Sequence, residues 1–381
     1  MDASAPELSV GDAICWAVDW SLPLWANAGF DAATGLFHER LTFEREPIAL
    51  PARRLMVQAR QIATYSRAAI AGLYYPDFSI EACIDMMHRR YRSSDGAPGW
   101  VFSIDPDLRP FDRTRDLYAH AFVLFALAWS YKLTANPSFI AMADELCEVL
   151  DRHFLLGDGS YADALPSRES VRRQNPHMHL LEAYLAWADV AGFDRYLQRA
   201  HLLVNFARSR FVDAETGAVF EEFDAGWKPL KEFGKNRIEP GHLFEWAWLL
   251  REFERLSGDN CAEQVDGLVR HAVAFGIDNK TQLIVDCVTE TGAVLADTFR
   301  CWPQTESVRT LYSRANNDGD KPLSACVSLG RVLAIFAPQH LRGGWIDRVD
   351  KNYRPLVDHM PASTLYHILG AIFEVHRTIK V

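Results

Sequence analysis

A glycine followed by two or three β-prone residues recurs six times along this chain, and that recurrence constrains the fold more than any other feature. The segments are Gly35-Leu36-Phe37, Gly99-Trp100-Val101-Phe102, Gly159-Ser160-Tyr161, Gly217-Ala218-Val219-Phe220, Gly292-Ala293-Val294-Leu295 and Gly344-Trp345-Ile346. They stand 64, 60, 58, 75 and 52 residues apart. An interval of about sixty residues holds two helices and their turns. Six such elements therefore predict about twelve helices in six hairpins, with the short β-like elements between them. Closed into a ring, such hairpins give an all-α (α/α)6 barrel, with a buried inner layer and a half-exposed outer one. An irregular helical bundle with chance glycine spacing is the alternative. No Pro/Gly/Ser-rich tract divides the chain, so residues 1–381 are read as one domain.

The helical patterns come in the two kinds that such a ring requires. From Asp116 to Tyr131, Leu117, Ala121, Leu124 and Ala128 form a stripe, while Phe122, Phe125 and Trp129 make the other faces apolar too. A helix apolar on all sides belongs inside. The stretch Phe139 to Phe154 carries Asp144, Glu145, Glu148, Asp151 and Arg152 among its apolar residues, as a helix facing water on one side does.

Charge narrows the range of partners. With 40 Lys+Arg against 50 Asp+Glu the formal charge is -10, and no basic cluster is long enough to follow a phosphate backbone, so nucleic acid is not an expected partner. The longest apolar run, around Ala121 to Trp129, is far short of the roughly 20 residues that span a bilayer. Met1 to Glu7 shows neither the basic region nor the apolar run of a secretory signal, and a cytoplasmic location is the expectation. The seven cysteines, Cys15, Cys83, Cys147, Cys261, Cys287, Cys301 and Cys326, include no C-x-x-C pair and read as reduced thiols. Oligomeric state is not legible.

Three segments place a histidine within two turns of a helix start opened by proline. They are Asn175-Pro176-His177-Met178-His179-Leu180-Leu181-Glu182, Glu239-Pro240-Gly241-His242-Leu243-Phe244-Glu245-Trp246 and Pro361-Ala362-Ser363-Thr364-Leu365-Tyr366-His367. If the helices converge, three imidazoles meet at three helix N-termini, whose dipoles favour the neutral ring. His179 with Glu182, and His242 with Glu245, share the three-residue spacing that lets an acid orient an imidazole. His177, two residues from His179, points elsewhere and reads as a packing residue. Arg300 to Glu306 adds an indole, an amide and a carboxylate in Trp302, Gln304 and Glu306, groups that suit the apolar faces and hydroxyls of sugars. Phosphate-loop, dinucleotide and nucleophile-elbow patterns are absent. No dense carboxylate cluster for a hard divalent ion is visible either, so no metal and no cofactor are expected.

In sum of motifs, the chain resembles the N-acylglucosamine 2-epimerase superfamily, and within it the D-mannose isomerase branch. The resemblance rests on Val57 to Gln61, Arg115 to Phe122, Asn175 to Glu182, Pro240 to Trp246, Trp302 to Glu306 and Ser363 to His367, in that order over nearly the whole length. It implies an (α/α)6 barrel and metal-free proton transfer between C1 and C2 of a monosaccharide. By position, His242 and His367 match the family's acid/base histidines. Arg60, Tyr118, Asn175, His179, Glu245, Trp302 and Glu306 match positions lining the sugar, with Glu182 and Gln304 as second choices.

The expected route opens the pyranose ring, removes the C2 proton and passes through a cis-enediolate. His367 then carries the proton between C2 and C1, His242 tuned by Glu245 moves protons at oxygen, and Arg60 faces the charge on the enediolate. The expected activity is interconversion of D-mannose and D-fructose, with D-lyxose and D-xylulose as further candidates. A sugar 2-epimerase remains the alternative, since both reactions need two histidines across the sugar. A glycoside hydrolase built on Glu245 and Glu306, or a sugar-binding protein without catalysis, would leave three histidines unexplained.

Overall fold

A computed structural model describes residues 8–167, 170–213, 215–314 and 328–379. Two short helices, α1 (Val10–Trp16) and α2 (Leu22–Asn27), are joined by a π-helical turn at Ala17–Ser21. The chain then alternates between long inner helices and outer partners. These are α3 (Leu55–Ile70) with α4 (Ile80–Tyr91), α5 (Leu117–Thr134) with α6 (Ser138–Val149), and α7 (Asn175–Ala191) with α8 (Asp194–Arg210). There follow α9 (Pro240–Ser257) with α10 (Ala262–Gly276), α11 (Cys301–Arg314) with α12 (Leu329–Phe336), and finally α13 (Ala362–Ile379), which packs on α1.

The inner helices make a ring. α3 packs on α5, α5 on α7, α7 on α9, α9 on α11, α11 on α13, and α13 back on α3. This is the (α/α)6 architecture, and the burial of its helices follows their sequence patterns. In α5 every face is buried, whereas α4 buries only Ile80, Cys83, Ile84, Met87 and Tyr91, the stripe of a one-sided helix. Local signals set the helix ends. The Asp116 carboxylate accepts from the Ala119 amide at 2.8 Å to cap α5, and the Ser79 hydroxyl accepts from Ala82 at 3.2 Å to cap α4, each contribution being about 1 kcal/mol. Pro240 opens α9 and Pro176 is the second residue of α7, while Pro361 ends a strand and α13 starts one residue later.

Each inner helix is entered from a two- or three-residue strand, and each strand pairs antiparallel with a segment of the next repeat. Arg54 pairs with Ser103, Asp116 with Ala164, Arg173 with Glu222, Ile238 with Val288 and Arg300 with Arg348. The sixth pair, Met360 with Leu41, ties the last repeat to the first. All six inner helices thus begin at one end of the ring, so residues in their first two turns face a common space.

The glycine-led elements are tight turns closing each outer helix onto its following strand. Gly99 and Gly159, at φ +86° and +84°, occupy a conformation that costs other residues strain. Bridges Arg92 to Trp100 and Leu155 to Tyr161 close around them. The long fourth interval has a structural cause. There Gln282, at φ +57°, takes the turn position, closed by the bridge Ile277 to Ile284, and Gly292 belongs to a separate hairpin between Cys287–Thr289 and Val294–Ala296. A glycine count misses a turn built on glutamine.

A side chain four residues after each of four inner strands then clamps that turn. Gln58 accepts from the Phe37 amide at 2.7 Å and donates to its carbonyl at 3.0 Å, and Gln304 does the same to Ile284 at 2.9 and 2.8 Å. His120 and His177 use Nε2 to accept from the amides of Trp100 and Tyr161, both at 3.1 Å. Six cysteines are unpaired thiols, and Cys326 lies outside the described residues. Among the described residues no helix is long and apolar enough to cross a membrane.

Candidate active site

At the N-terminal end of the inner ring a cavity of about 440 Å³ opens, lined by Arg60, Tyr118, Asn175, His179, His242, Glu245, Trp302 and His367 from all six inner helices. Its volume falls in the ordinary range of small-molecule sites. Glycine is required beside it. A Cβ on Gly241 would lie 2.7 Å from the Trp302 ring, so α9 and α11 could not approach so closely with any other residue there.

The Trp302 indole has a histidine on each side, with ring centroids 4.9 Å from His242 and 5.5 Å from His367. Helix dipoles would hold both neutral, and the sequence reading expected that of the whole imidazole ring, but the structure separates them. Burial works against the charged form of His242, and Glu221, aided by Glu239 and Glu245, outweighs it and raises the pKa to about 9. The contact is direct, since His242 Nδ1 donates to Glu221 Oε1 at 2.8 Å. Glu221 is fixed in turn by Gln174, whose amide donates to Oε2 at 3.0 Å and accepts from the Trp246 indole at 2.7 Å. Both His242 nitrogens therefore carry protons, and Nε2 is left as a donor.

His367 is the opposite case. Burial, together with Arg60, His179 and Arg309, holds its pKa well below the usual value. Its Nδ1 donates to Glu306 Oε1 at 2.7 Å, and Arg309 donates to Glu306 Oε2 at 2.8 Å. That hydrogen bond fixes the tautomer, so the Nε2 lone pair is available as a base.

His179 is also neutral. Burial lowers its pKa to about 4 although Glu182 accepts from Nδ1 at 3.2 Å. Burial would raise Glu182, but the hydrogen bond from His179, with Arg309 and Tyr366, holds it below the ordinary value. Glu245 is 1% exposed, and neither of its carboxylate oxygens has a hydrogen-bond partner. Burial, reinforced by Glu306 and Glu182, pushes its pKa well above the ordinary value. Arg60 donates to the Ser363 carbonyl at 3.2 Å and to the Tyr118 hydroxyl, and its guanidinium lies 4.2 Å from the Phe122 ring centroid.

Several expectations change at this level of detail. His242 takes Glu221, not Glu245, as its carboxylate, because α9 turns the imidazole toward a strand that precedes the helix. Glu182 and Glu306 stand behind the cavity wall and hold His179 and His367. Gln304 is absent from the lining, and its amide is occupied by the Ile284 turn. His177 is enclosed by Tyr161, Phe206, Phe211 and Trp227, away from the cavity. The carboxylate cluster that no single segment shows is assembled here from distant ones. Glu221, Glu239 and His242, and likewise His179, Glu182 and Glu245, and Glu245, Glu306 and His367, each bring ligand atoms within 4.8 Å of one another. Glu221 was missed by sequence reasoning, and only its place one residue before the paired strand Glu222–Phe223 could have marked it. Glu239 and Arg300, also in the lining, open two of the segments read from the sequence, whereas Arg40, Arg54, Asp347, Arg348 and His359 carry no local motif.

Fold and cavity together define an (α/α)6 barrel with His179, His242 and His367 facing its ligand space. The chain belongs to the N-acylglucosamine 2-epimerase (GlcNAc 2-epimerase) family, which it matches over residues 35–371. It is 32% identical to the mannose-6-phosphate isomerase of Rhizobium meliloti (strain 1021), over 98% of both chains. It is 24% identical to the cellobiose 2-epimerase of Bacteroides fragilis, covering 85% of this chain and 86% of that one. The crystal structure of a D-mannose isomerase superposes with a TM-score of 0.83 at 21% identity, over 97% of each chain.

Proposed function

We propose that this protein is an aldose–ketose isomerase of the mannose type, moving a proton between C2 and C1 through a cis-enediolate. The observation that supports it best is a pair of histidines beside Trp302, each on a carboxylate, with Glu221 and Glu239 around His242 and Arg60 and Arg309 around His367. Isomerisation needs a base for the C2 proton and an acid for the neighbouring oxygens, both present at one pH. His367 Nε2 takes the proton and returns it to C1. His242 gives its Nε2 proton to the ring oxygen during opening and recovers the one that leaves O1, then protonates O1 as the enediolate forms and takes back the O2 proton as the ketone forms. Glu245, neutral and without a hydrogen-bond partner, is a second donor toward the sugar oxygens, and Arg60 supplies the fixed positive charge that an enediolate requires. No step in this route calls on a metal ion.

The likeness to relatives named mannose-6-phosphate isomerase and D-mannose isomerase supports the mannose skeleton. A 2-epimerase is the second reading, favoured by the cellobiose 2-epimerase relative and by the same acid–base pair, which could act on opposite faces of C2. Mannose deuterated at C2 distinguishes them. Fructose as the main early product, with part of the deuterium at C1, is expected. Glucose as the main early product, with solvent hydrogen at C2, would reassign the enzyme as a 2-epimerase, and loss of no C2 deuterium at all would remove both readings.

A further inference from the structure

The inner ring encloses a second cavity, of about 390 Å³, at the end opposite the candidate active site. That is room enough for a small ligand. Its wall is aromatic, made of Phe125 and Trp129 on α5, Trp248 on α9 and Phe373 on α13. The rim is charged. Lys132, Arg255 and Arg377 stand in the last turns of α5, α9 and α13, where helix dipoles favour cations. Each has a carboxylate, Asp189 for Lys132 and Arg255, Glu252 for Arg255 and Arg377, and Glu374 for Arg377.

Arg67 is the exception. It lines the cavity from the last turn of α3, its guanidinium 4.7 Å from the Phe373 ring centroid and 5.1 Å from that of Trp129, and among the described residues it has no hydrogen-bond or ion-pair partner. The two carboxylates whose charge reaches it are taken. Glu182 receives His179, Tyr366 and Arg309, and Glu374 receives Arg377 and the Trp248 indole. Burial and the neighbouring Arg309 outweigh both and lower the Arg67 pKa to about 10. A guanidinium stacked on rings uses its faces, and the N–H edge left over is the part that takes a carboxylate in bidentate fashion.

The arrangement repeats one found seven residues earlier on the same three helices. Arg60 on α3 lies over Phe122 on α5 and Tyr366 on α13, and Arg67, Trp129 and Phe373 are each seven residues further along. Seven residues are close to two turns, so the same helix faces present an arginine on two rings to each end of the barrel. At the first end Arg60 donates to the Ser363 carbonyl and the Tyr118 hydroxyl, whereas at the second Arg67 has no such acceptor.

We propose that the second cavity is a binding site for a small aromatic carboxylate, its ring held among Phe125, Trp129, Trp248 and Phe373 and its carboxylate on Arg67. The site stands apart from the reaction and does not depend on the isomerase reading. A quaternary ammonium, which such rings otherwise suit, meets Arg67 in the wall and finds the rim carboxylates already paired.

Calorimetric titration of the wild type with 3-phenylpropionate, 3-phenylpropionamide and propionate tests this. The aromatic acid is expected to bind at least about tenfold more tightly than the amide, which keeps the ring and loses the charge, and at least about tenfold more tightly than propionate, which keeps the charge and loses the ring. Equal binding of acid and amide, or no binding of the acid at millimolar concentration, overturns the proposal. Two variants place the ligand. Arg67→Met should lower affinity for the acid at least about tenfold and leave that for the amide nearly unchanged. Ile70→Glu, at a rim position 36% exposed and three residues along α3, offers Arg67 a carboxylate of its own and should also weaken the acid. Full affinity for the acid in Arg67→Met puts the ligand elsewhere, the Arg60 cavity included, and overturns the assignment. Where that variant does not fold, Ile70→Glu decides in its place by the same reading.

Discussion

Two histidines face one indole, and their surroundings hold them in opposite states. His242 is seated on Glu221, whose only firm amide partner, Gln174, brings no positive charge. His367 is seated on Glu306, whose charge is already engaged by Arg309, and Arg60 stands nearby. Both rings meet a carboxylate at nearly the same distance. What differs is the surrounding charge, Glu239 adding to Glu221 beside His242 while Arg60 and Arg309 face His367, so the role of a histidine here is not set by its own hydrogen bond alone.

The largest effects should come from the rings themselves. His242→Ala and His367→Ala are each expected to lower kcat by at least about a hundredfold with helicity intact, the usual scale of acid–base catalysis. His177→Ala, which removes the partner of the Tyr161 amide, should instead cost about 1–3 kcal/mol of stability and leave kcat within a few-fold of wild type. Thermal unfolding and initial rates measured on the three variants check this, and similar, mild rate losses in all of them would mean that the two cavity histidines are scaffold.

A smaller and more specific effect concerns the carboxylate. The His242 pKa is raised to about 9, so its proton is present below that value and activity should fall as pH rises through it. The same raised value stabilises the fold fully below about 6.5, and that contribution is lost as pH rises through about 9. Glu221→Gln should draw the basic limb of the kcat/KM profile down by one pH unit or more, costing about twofold or more at pH 8. A limb that stays in place would assign it to another group.

The smallest expected effect is none. Dialysis against EDTA should leave the rate unchanged, although three sets of buried His and Glu ligand atoms converge around the cavity wall. Loss of activity restored by a divalent ion would convert one of those sets into a metal site and replace Arg60 as the source of positive charge.

Much of this was legible beforehand because it is periodic. A sixty-residue recurrence and the contrast between α5 and α6 suffice for six hairpins in a ring, and a ring whose helices start at one end brings His179, His242, Trp302 and His367 together. Pairings across that ring were not legible. The His179–Glu182 contact lies within one helix turn and could be read from spacing, whereas Glu221 reaches His242 from another repeat. Gln304 shows the converse error, since an amide beside Trp302 looks like a sugar ligand until its register with Gln58 shows that it holds a turn.

That register has a consequence for how such a chain can change. Gln58, His120, His177 and Gln304 meet one geometric demand, a hydrogen-bond acceptor delivered to a turn amide, and they do so with two unrelated side chains. Amide and imidazole are interchangeable parts at these positions, while two positions further along the same helices Arg60, Phe122, His179 and Glu306 are all different. In these four repeats closure of the ring and the chemistry inside it are written on separate tracks of the same helices, so the interior of one can be rewritten without loosening its turn, whereas α9 gives the turn-facing register to His242 itself.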